Sequence, residues 1–382
     1  MKRLALVLLA AAFVVPRMAQ AQGLTMHMSN GWDFTFAGNV NVFWVFTSDE
    51  DPGTTNSSIR TGLLPAFATF AATGREAGLD LGVHVGFGNQ IQNAGTHDQF
   101  VLGSVQAGAQ IDLRQMFLTI GLKGGNQILA GRELGLYQRQ NILNDMTLFG
   151  VGAVGDPQGG GTTLGRIGYG YIYPNFNAQI TFSSPANKQV QWSIGAFQPS
   201  VFGAFTETAI PRLEGEVIWK SKPAPRSTNN FMVWVGGEWQ TTKDPVADTD
   251  LSSIGVTAGV RANLSDLSVV VAAYTGKGIG HILGFTADGV SSNDEGSPAD
   301  GGYAQVTYKM GAKTTVGASY GVSRLKDDAT DALLSELQSY TGGVYYQWTR
   351  SLKVVGEVTR ERNDLSGGLN RTDVSGGFML FF

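Results

Sequence analysis

From Trp32 to Phe46 every second residue is apolar or glycine: Trp32, Phe34, Phe36, Gly38, Val40, Val42, Trp44 and Phe46 share one parity, while Asp33, Thr35, Ala37, Asn39 and Asn41 begin the other. A period of two marks a β-strand with one greasy face and one wet face. Its length matters as much as its period. Soluble strands cluster near ~5–6 residues, whereas ~9–11 or more tilted residues are needed to cross a bilayer. The run therefore predicts a membrane-crossing strand, and no continuous apolar segment beyond the N-terminus is long enough for a membrane helix.

The pattern recurs. Leu79, Leu81, Val83, Val85 and Phe87 oppose Asp80, Gly82, His84, Gly86 and Gly88, and Leu213, Gly215, Val217 and Trp219 oppose Arg212, Glu214, Glu216 and Lys220. Further strands are expected at 60–73, 111–122, 126–132, 177–182, 190–196, 231–239, 254–261, 267–274, 303–310, 315–324, 340–348, 352–362 and 371–382. Short turns such as Asn263-Leu264-Ser265-Asp266 alternate with long polar loops such as 276–301, the asymmetry of an outer-membrane barrel. The reading is an all-β, transmembrane antiparallel β-barrel of sixteen strands with both termini on the short-turn side. Eighteen strands are the alternative, the count turning on the stretches near Arg60 and around the long central excursion. Residues 331–337 read as a short loop helix, and Ile167 to Tyr173 as a possible extra strand segment.

Composition fixes the compartment. Lys2 and Arg3, the apolar run from Leu4 to Val15, Pro16 and the small-x-small triplet Ala19-Gln20-Ala21 form a secretory leader, expected to be cut after Ala21 and to leave residues 22–382 as one domain. Loss of Lys2, Arg3 and Arg17 takes the formal charge from −4 to −7. An acidic balance argues against a nucleic-acid partner. With no cysteine, disulfides and thiolate metal sites are excluded. No cofactor or metal is called for. The four histidines, His27, His84, His97 and His281, are scattered, and no hydrolase or phosphate-loop spacing occurs. An enzyme or an adhesin is therefore the lesser alternative to a channel.

Between Ile128 and Ser183 the alternation gives way to a Gly-rich excursion. Leu113-Arg114-Gln115-Met116-Phe117-Leu118, then Ile128-Leu129-Ala130-Gly131-Arg132-Glu133, and the turn Thr181-Phe182-Ser183-Ser184-Pro185 resemble the strands and turn that flank the constriction loop of the general, trimeric Gram-negative outer-membrane porin family. The last strand, whose Val374, Gly376, Phe378, Leu380 and terminal Phe382 are in phase, also resembles the final strand of Gram-negative outer-membrane proteins, which implies Phe382 as a signal to the barrel-assembly machinery. The resemblance implies a homotrimer in the outer membrane, in contact with lipid and lipopolysaccharide, that passes small hydrophilic solutes and ions. It also implies an inward-folded third loop, placed at 131–165. The family's acidic tip motif is absent, and Asn141 to Gly150 stands instead.

The residues support an inward fold. Ile142, Leu143, Met146, Leu148, Phe149 and Val151 lie too close together for an exposed loop, because apolar surface gains free energy on burial. The expected constriction sets basic Arg114, Arg132, Arg139 and Arg166 against acidic Glu133, Asp145 and Asp156, giving a transverse field at the narrow point. Each arginine has a plainer alternative, a salt bridge tying loop to wall. Asp80, Asp112, Glu214, Glu216, Lys309, Lys353 and Glu357, on polar strand faces, are further pore-lining candidates. A general channel and a substrate-specific one would share this barrel.

Overall fold

The computed structural model describes residues 23–50, 53–92, 111–155, 161–222, 227–293, 295–363 and 370–382. The expected leader and Asp156 lie outside the described residues. In chain order the elements are β1 Leu24–His27, β2 Asp33–Asp49, β3 Thr55–Arg60, β4 Ala66–Glu76, β5 Leu79–Asn89, β6 Ile111–Gly121, β7 Gln127–Leu134, a short helix α1 Arg139–Asn144, β8 Phe176–Ser183, β9 Val190–Phe197 and β10 Arg212–Lys220. There follow β11 Asn230–Asp244, β12 Thr249–Leu264, β13 Leu267–Lys277, β14 Pro298–Met310, β15 Thr314–Lys326, β16 Leu333–Gln347, β17 Leu352–Asn363 and β18 Arg371–Phe381.

Each strand from β4 to β18 pairs antiparallel with the next, and β18 returns to β2, from Arg371↔Asp49 to Phe381↔Asn39. Since β2 also pairs with β4, the sheet closes on itself. The closed ring has sixteen staves; the two remaining strands extend existing ones. β1 continues the line of β18 along β2, and β3 continues the line of β4. This resolves the sixteen-or-eighteen alternative: the expected strand at 60–73 is one stave broken at residues 61–65. Pro65 has no amide hydrogen for the ladder and stands beside the break.

The faces are inverted relative to a soluble protein. Asn39, Asn41, Thr47, Gln115, Gln240 and Ser253 are buried inside the ring, whereas Val42, Trp44, Trp192, Val235, Val256 and Phe378 are exposed outside it. That is what alternation requires when the outer solvent is hydrocarbon. The inner face is not uniformly wet: Phe43, Val45, Trp234, Tyr303, Tyr345 and Val355 are buried there, in one cluster with the residues of a loop.

Two local expectations are corrected. Residues 331–337 contain no helix; β16 begins at Leu333 and pairs with β15 across a register shift at Leu325/Lys326. Ile167 to Tyr173 contributes only isolated bridges, Ile167 to Tyr171 and Tyr173 to Leu283, and adds no stave.

Candidate functional site

The connection expected at 131–165 runs from 135 to 175, between the ends of β7 and β8. Its apolar residues are inside the ring: Ile142, Leu148, Val151, Ala153, Ile167 and Tyr171 pack with inward side chains of β2, β11, β14, β16 and β17. Burying backbone this deep requires a partner for each amide, and the wall supplies them. Glu214 accepts hydrogen bonds from the amides of Leu136 at 2.7 Å and Tyr137 at 3.0 Å. The Tyr303 hydroxyl donates to the Asn141 carbonyl, the Met146 amide donates to Gln305, and the Gly152 amide donates to Glu357 at 2.7 Å. Two segments of the loop touch at Gly152 and Gly165. Both have φ of 58°, and a Cβ on Gly152 would stand 2.9 Å from the Gly165 Cα, so neither position accepts a side chain without strain.

The charges are distributed differently from an acidic loop facing a basic wall. Arg139 sits on α1 and pairs with Glu216 of the wall at 2.6 Å, and Gln140 donates to the same carboxylate at 2.9 Å. Arg166 is fully buried; its guanidinium bonds the hydroxyls and carbonyls of Ser319 and Ser339. Asp145 is buried behind the loop's own turn, where it accepts from the Thr147 amide at 2.9 Å, the Tyr171 hydroxyl at 2.9 Å and the Arg166 amide at 3.2 Å. Glu133 accepts from Gln115 at 2.8 Å. Arg132 is corrected outright. It pairs with Met116 and Ala178, both exposed, so it lies on the outer face of the barrel and not in the pore.

Among the other candidates, Glu214, Glu216 and Glu357 do face inward, but their carboxylates hold the loop. Lys353 also faces inward, its ammonium 5.3 Å from the Phe149 ring centroid and donating to the Phe149 carbonyl at 3.4 Å. Asp80, beside the β4–β5 turn, lies 3.7 Å from Arg75, and Lys309 is exposed near the end of β14.

Asp112 and Arg114 are different. Between Gly86 and Phe87 the β5–β6 register shifts, so that Gly86 faces Gln115, Phe87 faces Leu113, and Arg114 is the extra residue of a bulge. A bulge lets two successive side chains point the same way; both Arg114 and Gln115 turn inward. Arg114 Nε donates to Asp112 at 3.0 Å, Nη1 donates to the Tyr173 hydroxyl at 3.2 Å, and the guanidinium lies 5.7 Å from the Phe176 ring centroid.

The loop is thus held against β10 to β18 and on to β2, and beside it, toward β4 to β8, is a cavity of about 350 Å³. Its wall comes from the broken stave (Leu63, Leu64, Pro65, Phe67), from Asp112 and Arg114 on β6, and from Leu134 and Phe176. Its loop side is Ile142, Leu143, Leu148, Leu164, Ile167 and Tyr173.

Sequence reasoning passed over several residues that position the loop. Asn141 accepts from the Trp234 indole at 2.8 Å and donates to Thr257 at 2.9 Å; Glu361 accepts from the Tyr169 hydroxyl at 2.7 Å. The broken stave was the readable signal: Gly62 and Pro65 inside a strand pattern mark a bend. There the Leu63 amide donates to the Val151 carbonyl at 3.1 Å.

The model of the Gram-negative porin family matches residues 5–366. No curated protein matches the sequence. Solved structures share the fold at low identity. The outer membrane channel DcaP of Acinetobacter baumannii is 13% identical, covering 94% of this chain and 99% of its own with a TM-score of 0.64. An anion-selective porin from Comamonas acidovorans is 14% identical (92% and 100%, TM-score 0.64). OmpF of Salmonella typhi, in complex with daunomycin, is 12% identical (94% and 100%, TM-score 0.63).

Proposed function

This chain belongs to the Gram-negative porin family, so it is an outer-membrane channel protein and not an enzyme; from that premise we propose that it passes ions and small solutes by passive diffusion around loop 135–175. One observation carries the reading: the loop is anchored to the wall from β10 round to β2 and leaves a cavity of about 350 Å³ beside it. The loop narrows the lumen, and the charge at its open side is the Asp112–Arg114 pair. The remaining loop charges act as fasteners.

The outer face supports assembly as a homotrimer. Arg132 stands among Met116, Leu118 and Ile180, and a cation facing hydrocarbon near the midplane costs about 2–4 kcal/mol. A second copy that covers this patch and brings a hydrogen-bond acceptor to the guanidinium offsets that cost. The leader is removed after Ala21, the remaining outward face contacts lipid and lipopolysaccharide, and the last strand is the piece read by the assembly machinery. Phe382 closes that strand onto β2: its amide donates to the Gly38 carbonyl at 3.0 Å and its carbonyl accepts the Gly38 amide at 2.9 Å.

Purified protein in planar bilayers should give ohmic channels, with closures in steps of thirds if three pores insert together. Well-folded protein that conducts nothing ends the channel reading.

A further inference from the structure

We propose that the cavity beside the loop is a transient binding site for monocarboxylates with an apolar body, aromatic or branched aliphatic; the proposal rests on the channel reading above. Three features of the cavity select this class.

The first is its lining. It is mostly apolar: Leu63, Leu64, Leu143, Leu164, Ile167 and Phe176 offer no hydrogen bonds from their side chains, and Gln90 and Thr162 are the polar groups away from Asp112, Arg114 and Tyr173 among the described residues. A polyol seated there would lose water from more hydroxyls than these groups can satisfy, which costs free energy, whereas an apolar ring or branched chain gains by leaving water.

The second is Arg114, the one cation among the described lining residues. Arg114 uses Nε on Asp112 and Nη1 on Tyr173, and Nη2 has no acceptor among the described residues. A carboxylate is the group a guanidinium edge receives best, through a charge-assisted hydrogen bond. Phe176, beneath the guanidinium, and Tyr173, bonded to it, hold the group in place. The third is the anion beside it. Asp112 balances Arg114, so a second carboxylate on the solute meets either that negative charge or the leucine-lined end, and neither accepts it.

Size agrees. An apolar cavity of about 150 Å³ takes benzene, and small-molecule sites run from ~300 Å³ upward. A cavity of about 350 Å³ accommodates a substituted aromatic ring with its carboxylate. No bond is made or broken. The solute enters, is held, and leaves on the far side, so its flux saturates while that of a non-binding ion does not.

The test is single-channel recording of the purified full chain with benzoate, acetate, terephthalate and glucose added in turn. Benzoate is expected to reduce or chop the current at about tenfold lower concentration than acetate, terephthalate or glucose. Arg114→Gln should abolish that difference. Leu143→Asn and, as an independent replacement, Leu164→Asn should weaken benzoate blockade about tenfold relative to blockade by acetate in the same variant. Benzoate and acetate acting alike in a conducting channel would overturn the proposal and leave the channel reading intact. Blockade lost in Arg114→Gln but untouched by both asparagine variants would also overturn it, because the site would then be a plain anion site. Absence of conductance removes both readings.

Discussion

Arg166 is enclosed on every side, and each bond of its guanidinium runs to Ser319 or Ser339 of the wall. Its backbone amide leans on Asp145, whose carboxylate is buried beside it. Arg166→Ala keeps that amide but leaves the hydroxyls and carbonyls of Ser319 and Ser339 without their donor, so a loss of about 1–3 kcal/mol is expected. The measurable outcome is a lower unfolding temperature together with a larger, noisier single-channel conductance as the loop loosens. Arg114 and Arg132 make a sharper pair. Arg114→Gln should move the reversal potential toward cations, whereas Arg132→Gln, on the outer face, should leave it unchanged and weaken subunit association on native gels. Alternation in the sequence assigns a face to each residue and cannot assign a partner. For Arg114 even the face depends on a bulge whose position is set by the pairing of β5 with β6. For Arg132 it depends on where β7 falls into register against Met116, which no local pattern states.

At the scale of elements, the strands were legible and the loop's resting place was not. Each stave carries its own period of two, so its existence can be read without its neighbours. The loop's position instead follows from matches between distant segments, such as Glu357 with the amide of Gly152. Its apolar centre shows that it must be covered; only the three-dimensional arrangement shows which wall covers it. Close approach to β15 gives a direct test. A Cβ on Gly321 would collide with the Tyr169 carbonyl oxygen, which is backbone and cannot swing aside, and would lie 3.2 Å from Arg166 Cδ. Gly321→Val should therefore push the loop off β15, seen as altered conductance and faster proteolysis within residues 161–175. Glu357→Ala removes the acceptor of the Gly152 amide and the Tyr345 hydroxyl. About 1–3 kcal/mol should be lost in chemical denaturation, with the same direction of change in conductance.

Over the whole molecule, the inverted faces define the barrel, and its rim is fastened by ion pairs and turns. Glu50 pairs with Arg360 at 2.5 Å and Asp49 with Arg371 at 2.9 Å, so both acidic groups at the end of β2 are neutralised at the strand ends. Two long loops, 278–297 and 327–332, are clasped through Asp327, which accepts from the Ser292 amide at 3.0 Å and from the Thr330 amide at 3.0 Å. Those hydrogen bonds hold its carboxyl down to about 2, from an ordinary value of 3.8. Because the folded value is the depressed one, the clasp is fully present above pH 3.8 and is lost as the pH falls toward 2. Pepsin should leave both loops intact at pH 4 and cut them near pH 2, and Asp327→Asn should be cut at pH 4.

The broken stave also bears on the order in which the barrel is assembled. Val151 accepts the amide of Leu63 in the break after β3, while its neighbour Gly152 is held by Glu357 on β17, and Phe149 packs 6.0 Å from Phe381 on β18. Between those anchors runs the seam where the first and last strands meet. The loop tip therefore has no complete binding surface until that seam has shut, and once seated it stands across the seam from inside. The middle of the chain thus ties its two ends together, so opening of the seam and release of the loop tip are coupled.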